Sequence, residues 1–343
     1  MSIRIWMVPK KNNTNKFNEL FSRAIENQGL EVEHLSKKKI FKIKRNDIVH
    51  FHWISSYYQN KNRIIMIIKA LVFFAFLFLL KIKGVRIVWT VHNLYPHQYK
   101  WKITEKHIRK TMINRFCNVV IAAAYSIKQE IEKEFEVKPD KIKIIPHGHY
   151  LGSYPIHHRN LREFYQLDDS RIIFLFVGTI KKYKGIIELL SSFDQIRNDQ
   201  ACLLVAGKTD SETKPLLTPF LDRHNIIFDM RFIPDNELAD LILCSDFVVL
   251  PYTNVTTSGS AILAASLKRK IITPSTPFMR EYFNASTSIM YDVKDKTGLL
   301  KALEECVMHP QLKDVPEREY RKFIRGLSWD NIGKKMKQIY LYL

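Results

Sequence analysis

The chain has 343 residues, more than one ordinary domain of roughly 100–200 residues accommodates, so two domains are expected. Hydrophobic residues at 46% and aromatics at 12% supply enough core to exclude disordered, collagen-like and low-complexity classes. The net charge of +20 is unevenly placed: residues 1–150 hold 28 basic and 11 acidic residues, and the remainder 26 and 23, so the first part attracts polyanions such as nucleic acid, anionic headgroups or phosphorylated substrates.

In chain order, SIRIWMV near the N-terminus reads as a buried strand rather than the apolar core of a secretory signal, which points to a cytoplasmic protein. Phe17 to Gln28 has helical periodicity and is closed by Gly29. DIVHFHW, GVRIVWTVH, NVVIAAA and KIKIIPHG continue the first series of strands. Between the first two of these lies Ile64–Leu80, IIMIIKALVFFAFLFLL, with Lys69 as its only charge. Its 17 residues make about 25 Å of helix, short of the ~20 residues that span a bilayer, so it is not expected to cross one. Two readings stay open. The helix is wedged in the core beside a parallel sheet, or it dips one face into an anionic membrane surface through residues such as Phe73, Phe76 and Leu80. In the second reading Arg63, Lys81, Lys83 and the upstream run Lys37, Lys38, Lys39, Lys42, Lys44 and Arg45 would meet the headgroups. Nucleic acid is not an expected partner, because no zinc-finger spacing, RNP-like strand or helix-turn-helix pattern accompanies the charge.

After a polar connection from His149 to Leu167 a second series begins: RIIFLFVG, ACLLVAG, IIFDMRF, DFVVLPY and RKIITP, with helices expected over Ile186–Asn198, Asp235–Cys244 and Ser260–Lys268. Strands separated by helix-length segments imply right-handed βαβ units, and hence an α/β protein with two Rossmann-like domains, 1–150 and 151–316. Glu317 to Leu343 reads as terminal helices anchored by Trp329. Four cysteines, Cys117, Cys202, Cys244 and Cys306, lack CxxC spacing, which argues against zinc and for a reducing compartment. In open parallel sheets ligands bind outside the carboxyl ends of strands, and with two such domains the cleft between them is the favoured place.

Three strand-end clusters carry candidate chemistry. In FVGTIKKYKG, Gly178 lets a backbone approach a phosphate, Lys181, Lys182 and Lys184 neutralise charge, and a helix opens after Gly185. The cluster is also compatible with a solvated surface turn, since it is not the P-loop pattern. In PYTNVTTSGSAILAAS, Ser258 can cap a helix whose positive end at Gly259 and Ser260 suits an anion, while Ala261, Ala264, Ala265 and Ser266 suit close packing on a sheet. In WTVHNLYPHQ, His92 follows a strand and is a candidate base or sugar ligand. His50, His52, His97 and His147 share that option with an ordinary structural role.

VHFHW, WTVHNLYPH, IPHG, VGTIKKYKG, PYTNVTTSGSAILAASLKRKIITP with MREYF behind it, and SWDNIGKKMKQIY occur in an order that resembles the GT-B glycosyltransferases, specifically bacterial family 4 members that build capsules and exopolysaccharides. The resemblance covers nearly the whole chain. It implies that the second domain binds a nucleoside diphosphate sugar, UDP- or GDP-linked, as donor substrate, and that the first binds the glycan acceptor; the basic first domain with its apolar helix suits an acceptor that is lipid-linked, at the inner membrane face. It further implies that neither a metal nor a separate cofactor is needed, and that the segment 317–343 crosses back to the first domain. Lys184 would neutralise the diphosphate with Lys181 beside it. Gly178 would leave room for it, and Ser258, Gly259 and Ser260 would offer the helix end. His92 would lie beside the transferred sugar, Phe232 where the nucleobase rests, and Glu281 where relatives carry an acidic residue. Many members carry two glutamates where this chain has Thr256 and Ala264, and an arginine where it has Thr179. Stereochemistry and donor identity are therefore not inherited. A nucleotide-sugar epimerase of similar fold and a catalytically silent partner subunit of another glycosyltransferase are the alternatives.

Overall fold

Runs of β-branched and aromatic residues flanked by turn-forming residues give short, fully buried strands, and in the computed structural model they assemble into two parallel six-stranded sheets. The structure describes residues 3–12, 15–96, 99–252 and 256–343. The chain divides into unit 1, residues 1–148 with 327–343, and unit 2, residues 149–326.

Unit 1 runs β1 (Arg4–Val8), α1 (Phe17–Glu26), β2 (Glu31–His34), a 3₁₀ turn (Lys37–Lys42), β3 (Ile48–Phe51), α2 (Ser55–Tyr58), α3 (Arg63–Ile82), β4 (Arg86–Thr90), α4 (Lys102–Thr111), β5 (Val119–Ala122), α5 (Tyr125–Phe135) and β6 (Ile142–Ile144). The strand order is β2-β1-β3-β4-β5-β6, every pairing parallel, with His50 opposite Val88 and Phe51 opposite Trp89. Alternation along the strands sends Ile5, Met7, Ile48 and Val88 to one face, where α1 packs through Phe21 and Ile25. On the other face Phe51 meets Phe73 of α3 edge to face at 5.8 Å between ring centroids.

Unit 2 runs α6 (Leu161–Phe164), β7 (Ile172–Val177), α7 (Ile186–Phe193), β8 (Ala201–Ala206), α8 (Lys214–Leu217), β9 (Ile226–Asp229), α9 (Asp235–Cys244), β10 (Phe247–Val249), α10 (Gly259–Ser266), β11 (Lys270–Pro274), α11 (Pro277–Tyr282), β12 (Ser288–Tyr291), α12 (Gly298–Met308) and α13 (Glu317–Gly326). Its order is β12-β11-β10-β7-β8-β9. From β7 the chain winds outward through β8 to β9, then returns to lay β10 on the other side of β7. The strand order therefore reverses between β7 and β10, and loops leaving these two strands diverge to form a crevice at their carboxyl ends.

Two expectations are corrected here. The apolar segment forms a helix of 20 residues, about 30 Å long and sufficient in length to span a bilayer. Length therefore does not exclude crossing, but topology does. The helix is the crossover between adjacent strands β3 and β4, and Met66, Ala70, Phe73, Leu77 and Leu80 are buried in unit 1. Phe73 and Leu80 are thus core residues and Phe76 is half-buried, not the lipid-facing set that the sequence suggests. The outward stripe is instead Ile64, Ile68, Leu71, Val72, Ala75, Phe78, Leu79 and Ile82, all exposed, at the three-and-four spacing of one helix face.

The second correction concerns the terminal helices. Only α14 (Trp329–Leu341) belongs to unit 1, while α13 stays with unit 2. Tyr320 donates to the Ser266 carbonyl at 2.8 Å and Phe323 stacks on Phe283, which ties α13 to its own unit. In α14, Gly333 abuts α1 so closely that a Cβ would come within 2.2 Å of the Ala24 carbonyl oxygen, and Trp329 covers Gly148.

Candidate functional site

At the crevice of unit 2, backbone geometry prepares the place for an anion. Gly178 ends β7 with φ +120° and Gly207 ends β8 with φ +141°. A Cβ on Gly207 would strike the Gly178 carbonyl oxygen at 1.8 Å, so only glycine allows the two strand ends to touch. A Cβ on Gly178 would lie 3.4 Å from Lys184 Nζ, which places that ammonium over the strand end. Gly185, φ +73°, starts α7 against β10's exit, where a Cβ would lie 2.6 Å from the Pro251 carbonyl oxygen. The next residue, Tyr252, is buried and shares a 2.7 Å hydrogen bond with Ser258, whose Oγ accepts from the Ala261 N–H at 3.1 Å. Ser258 thereby caps α10, and its carbonyl takes the Ile262 N–H. The first-turn donors left for a ligand are those of Gly259 and Ser260. Lys184 and the start of α10 are thus brought to the same corner, through Gly185, Pro251, Tyr252 and Ser258.

Burial, helped by repulsion from Lys181, pulls the Lys184 ammonium down to about 8. Lys181 itself leans toward Asp210 at 3.8 Å, a residue of the loop after β8. Phe232 is 65% exposed beyond β9. The segment beneath it is braced by Arg231, which pairs with Asp229 at 3.1 Å and Glu237 at 2.6 Å, and by Tyr165, which donates to Asp229. Sequence reasoning missed this brace, since Asp229 ends β9, Glu237 lies on α9, and Arg231 and Tyr165 sit in two separate loops. Glu281 is exposed near the end of α11, the helix following β11.

In unit 1 the carboxyl ends of β3, β4 and β6 gather the histidines. His50 is held at both ring nitrogens, by Tyr340 Oη at 2.6 Å and Thr90 Oγ1 at 2.7 Å. His52 Nδ1 and His92 Nε2 share a hydrogen bond of 3.0 Å. The rings stack in series, His50 on His52 and His92 on Trp53, with Phe17 against His92 and His147. All four imidazoles are buried and sit below the usual histidine range: His50 at about 3, His147 at about 4, His52 and His92 well below. Burial is the main cause, reinforced for His92 by His52 and His147. Each is a neutral imidazole at pH 7, suited to hydrogen bonding with a hydroxyl and poorly suited to keeping a proton. His97 lies outside the described residues. No group of three or more possible metal ligands occurs among the described residues.

Residues 35–151 match Glycosyltransferase Family 4, and residues 171–309 match Glycosyl transferases group 1. The two stretches are glycosyltransferase domains. The GDP-mannose:glycolipid 4-beta-D-mannosyltransferase of Xanthomonas campestris is 22% identical over 304 residues, 87% of this chain and 80% of that protein. Among solved structures, sucrose-phosphate synthase from Thermosynechococcus elongatus superposes with a TM-score of 0.75 at 16% identity, covering 99% of this chain and 98% of that one. Anabaena HepE in complex with UDP gives 0.73 at 12% identity over 100% of both chains. The GT-B fold expected from the motifs is the fold of this glycosyltransferase.

At the two positions where the resemblance implies glutamates, Ala264 is fully buried on α10, and Thr256 is half-buried before its cap. The Lys184 ammonium and the start of α10 give a direct test. Lys184→Met is expected to weaken UDP or GDP binding by about 10–100-fold, the usual scale for one charge-assisted hydrogen bond, with nucleoside binding unchanged. In the parent protein, affinity for the diphosphate should fall as pH rises above about 8, with a proton taken up on binding, because the free ammonium has partly titrated there. Calorimetry in two buffers of different ionisation enthalpy measures both. Equal loss of nucleoside and diphosphate binding would contradict the phosphate role.

Proposed function

We propose that this chain transfers a hexosyl group from a nucleoside diphosphate sugar to a lipid-linked glycan acceptor in surface polysaccharide biosynthesis, working at the cytoplasmic face of the membrane without a metal. The observation that carries the donor half is the approach of Lys184 to the bare Gly178 strand end, beside the capped start of α10. As the C1–O bond to the diphosphate breaks, negative charge grows on the leaving group. The Lys184 ammonium and the Gly259 and Ser260 N–H groups would stabilise it where water is displaced. Phe232 would stack on the base. In unit 1, neutral His92 would accept a hydrogen bond from a sugar or acceptor hydroxyl, positioning it rather than holding its proton. The Xanthomonas relative's GDP-mannose and glycolipid specificity supports GDP and a lipid-linked acceptor, and UDP bound in the Anabaena structure supports UDP.

The outer stripe of α3 would rest on anionic lipid. Its apolar side chains form one exposed face, with exposed cations Lys81 and Lys83 at its end. The basic run adjoins it, since Arg45 packs against Gly84 and Asn46 donates to the Gly84 carbonyl. An apolar patch rimmed by cations fits a headgroup layer over acyl chains.

Thermal shift with UDP, GDP, TDP and CMP sugars tests the donor, because a ligand that binds only the folded chain raises its melting point. One nucleoside diphosphate sugar should shift it and be turned over, and His92→Ala should cut turnover while UDP or GDP binding stays. No shift with any of them would reject the reading. Binding without turnover would instead mark a silent partner subunit, the outcome that Thr256 and Ala264 would then explain.

A further inference from the structure

Helix α4 reads KITEKHIRKT, a sequence expected to lie on the surface, yet Glu105 and Arg109, one turn apart, are buried. Each of the three guanidinium nitrogens of Arg109 donates a hydrogen bond. Nε donates to Glu105 Oε1 at 2.7 Å, Nη2 to Ser55 Oγ at 2.7 Å, and Nη1 to the Asn93 carbonyl oxygen at 3.1 Å. Glu105 Oε1 also accepts from Tyr58 Oη at 2.6 Å, while its Oε2 finds no hydrogen-bond partner among the described residues. The cation lies 5.4 Å from the ring centre of Trp89, and that indole donates to the His52 carbonyl at 3.2 Å. One buried cation therefore holds the residue after His92 directly and packs on the ring that holds His52.

Stability alone is a weak reason for such a pair. Burying two charges is costly, an apolar replacement of similar volume is often as stable, and here one carboxylate oxygen is left unsatisfied. What apolar residues cannot do is grip a backbone carbonyl in the loop that follows β4. We propose that Arg109, held in place by Glu105, is the positioning residue of the His52–His92 pair, fixing the loop after β4 through the Asn93 carbonyl. The proposal deepens the reading of His92 as a sugar-side group and rests on it for its functional meaning, but its structural content can be tested separately.

The test uses the full chain labelled with ¹⁵N histidine, and reads the imidazole nitrogens by NMR at neutral pH. In the parent, the proton shared by His52 Nδ1 and His92 Nε2 makes one nitrogen donor-like and the other acceptor-like. Arg109→Met combined with Glu105→Met should fold with a similar melting point and leave His50, gripped by Tyr340 and Thr90, unchanged. The His52 and His92 nitrogens should move to the averaged values of exchanging neutral tautomers, and His92 should react with diethylpyrocarbonate about tenfold faster, the residue being buried in the parent. Should the double variant fail to fold, Arg109→Lys keeps a charge beside Glu105 but loses the fork to Asn93 and Ser55, and the same spectral change is expected. A folded variant of either kind with parental His52 and His92 signals overturns the proposal. A loosened pair with sugar transfer at the parental rate upholds the positioning and removes the role given to His92.

Discussion

Acidification from pH 7 to 5.5 is expected to destabilise unit 1 by about 5 kcal/mol while unit 2 stays folded. His50, His52, His92 and His147 are buried and held below the ordinary value near 6.5, His50 at about 3 and His147 at about 4. In the unfolded chain the same groups titrate near 6.5. The stability they contribute is therefore complete above roughly pH 7 and is lost as pH falls from 6.5 toward 4, because the unfolded chain binds protons that the folded one refuses. Each imidazole adds about 1.2 kcal/mol over the stated interval, so the four act together on the scale of a whole domain's stability. The readout is unusually clean: Trp6, Trp53, Trp89, Trp101 and Trp329 are all five tryptophans of the chain, and all belong to unit 1. Urea unfolding followed by tryptophan emission isolates that unit, and circular dichroism reports the rest. A midpoint that does not move between the two pH values would mean that these rings protonate freely.

Replacing Ile68, Leu71 and Phe78 together with Ser is expected to lower binding to vesicles of phosphatidylcholine and phosphatidylglycerol by about 1,000-fold, given roughly 1.5–3 kcal/mol per fully buried apolar side chain and partial immersion of each. The three are 54%, 61% and 59% exposed, so the melting point should hold or rise. Phe73→Ser and Leu80→Ser should do the opposite, destabilising the fold by several kcal/mol, because those side chains fill the space under α3. Co-sedimentation and thermal unfolding on the same preparations separate the two faces. Unchanged vesicle binding in the triple variant would leave the stripe without a lipid role.

The central strands of both sheets are legible in the sequence because each is buried on both faces and so reads as an unbroken apolar run, as IIFLFV does in β7. The edge strands β2 and β12 are not: EVEH and SIMY sit at the ends of their sheets, half solvated, with no such run to betray them. The approach of Lys184 to Gly178 is legible because the two are neighbours in one turn, whereas nothing local joins His52 to His92. Their meeting depends on β3 lying beside β4 in a particular register. Arg109 is hidden for a different reason. Among seven charged or polar neighbours on α4 it carries no mark of burial, and only its reach across to α2 and the Asn93 carbonyl reveals it. The inner and outer residues of α3 are indistinguishable by composition, since the helix is apolar all round, and the packing of β3 against Phe73 alone sorts them.

Because α14 completes unit 1, the order of synthesis and the order of folding cannot coincide. A ribosome would release every residue of the second sheet before supplying Tyr340, whose hydroxyl holds His50, or Gly333, which seats against Ala24. Nascent unit 1 would wait with one flank of its sheet uncovered, while unit 2, a single unbroken stretch, could close first, reversing the usual N-to-C sequence of domain maturation.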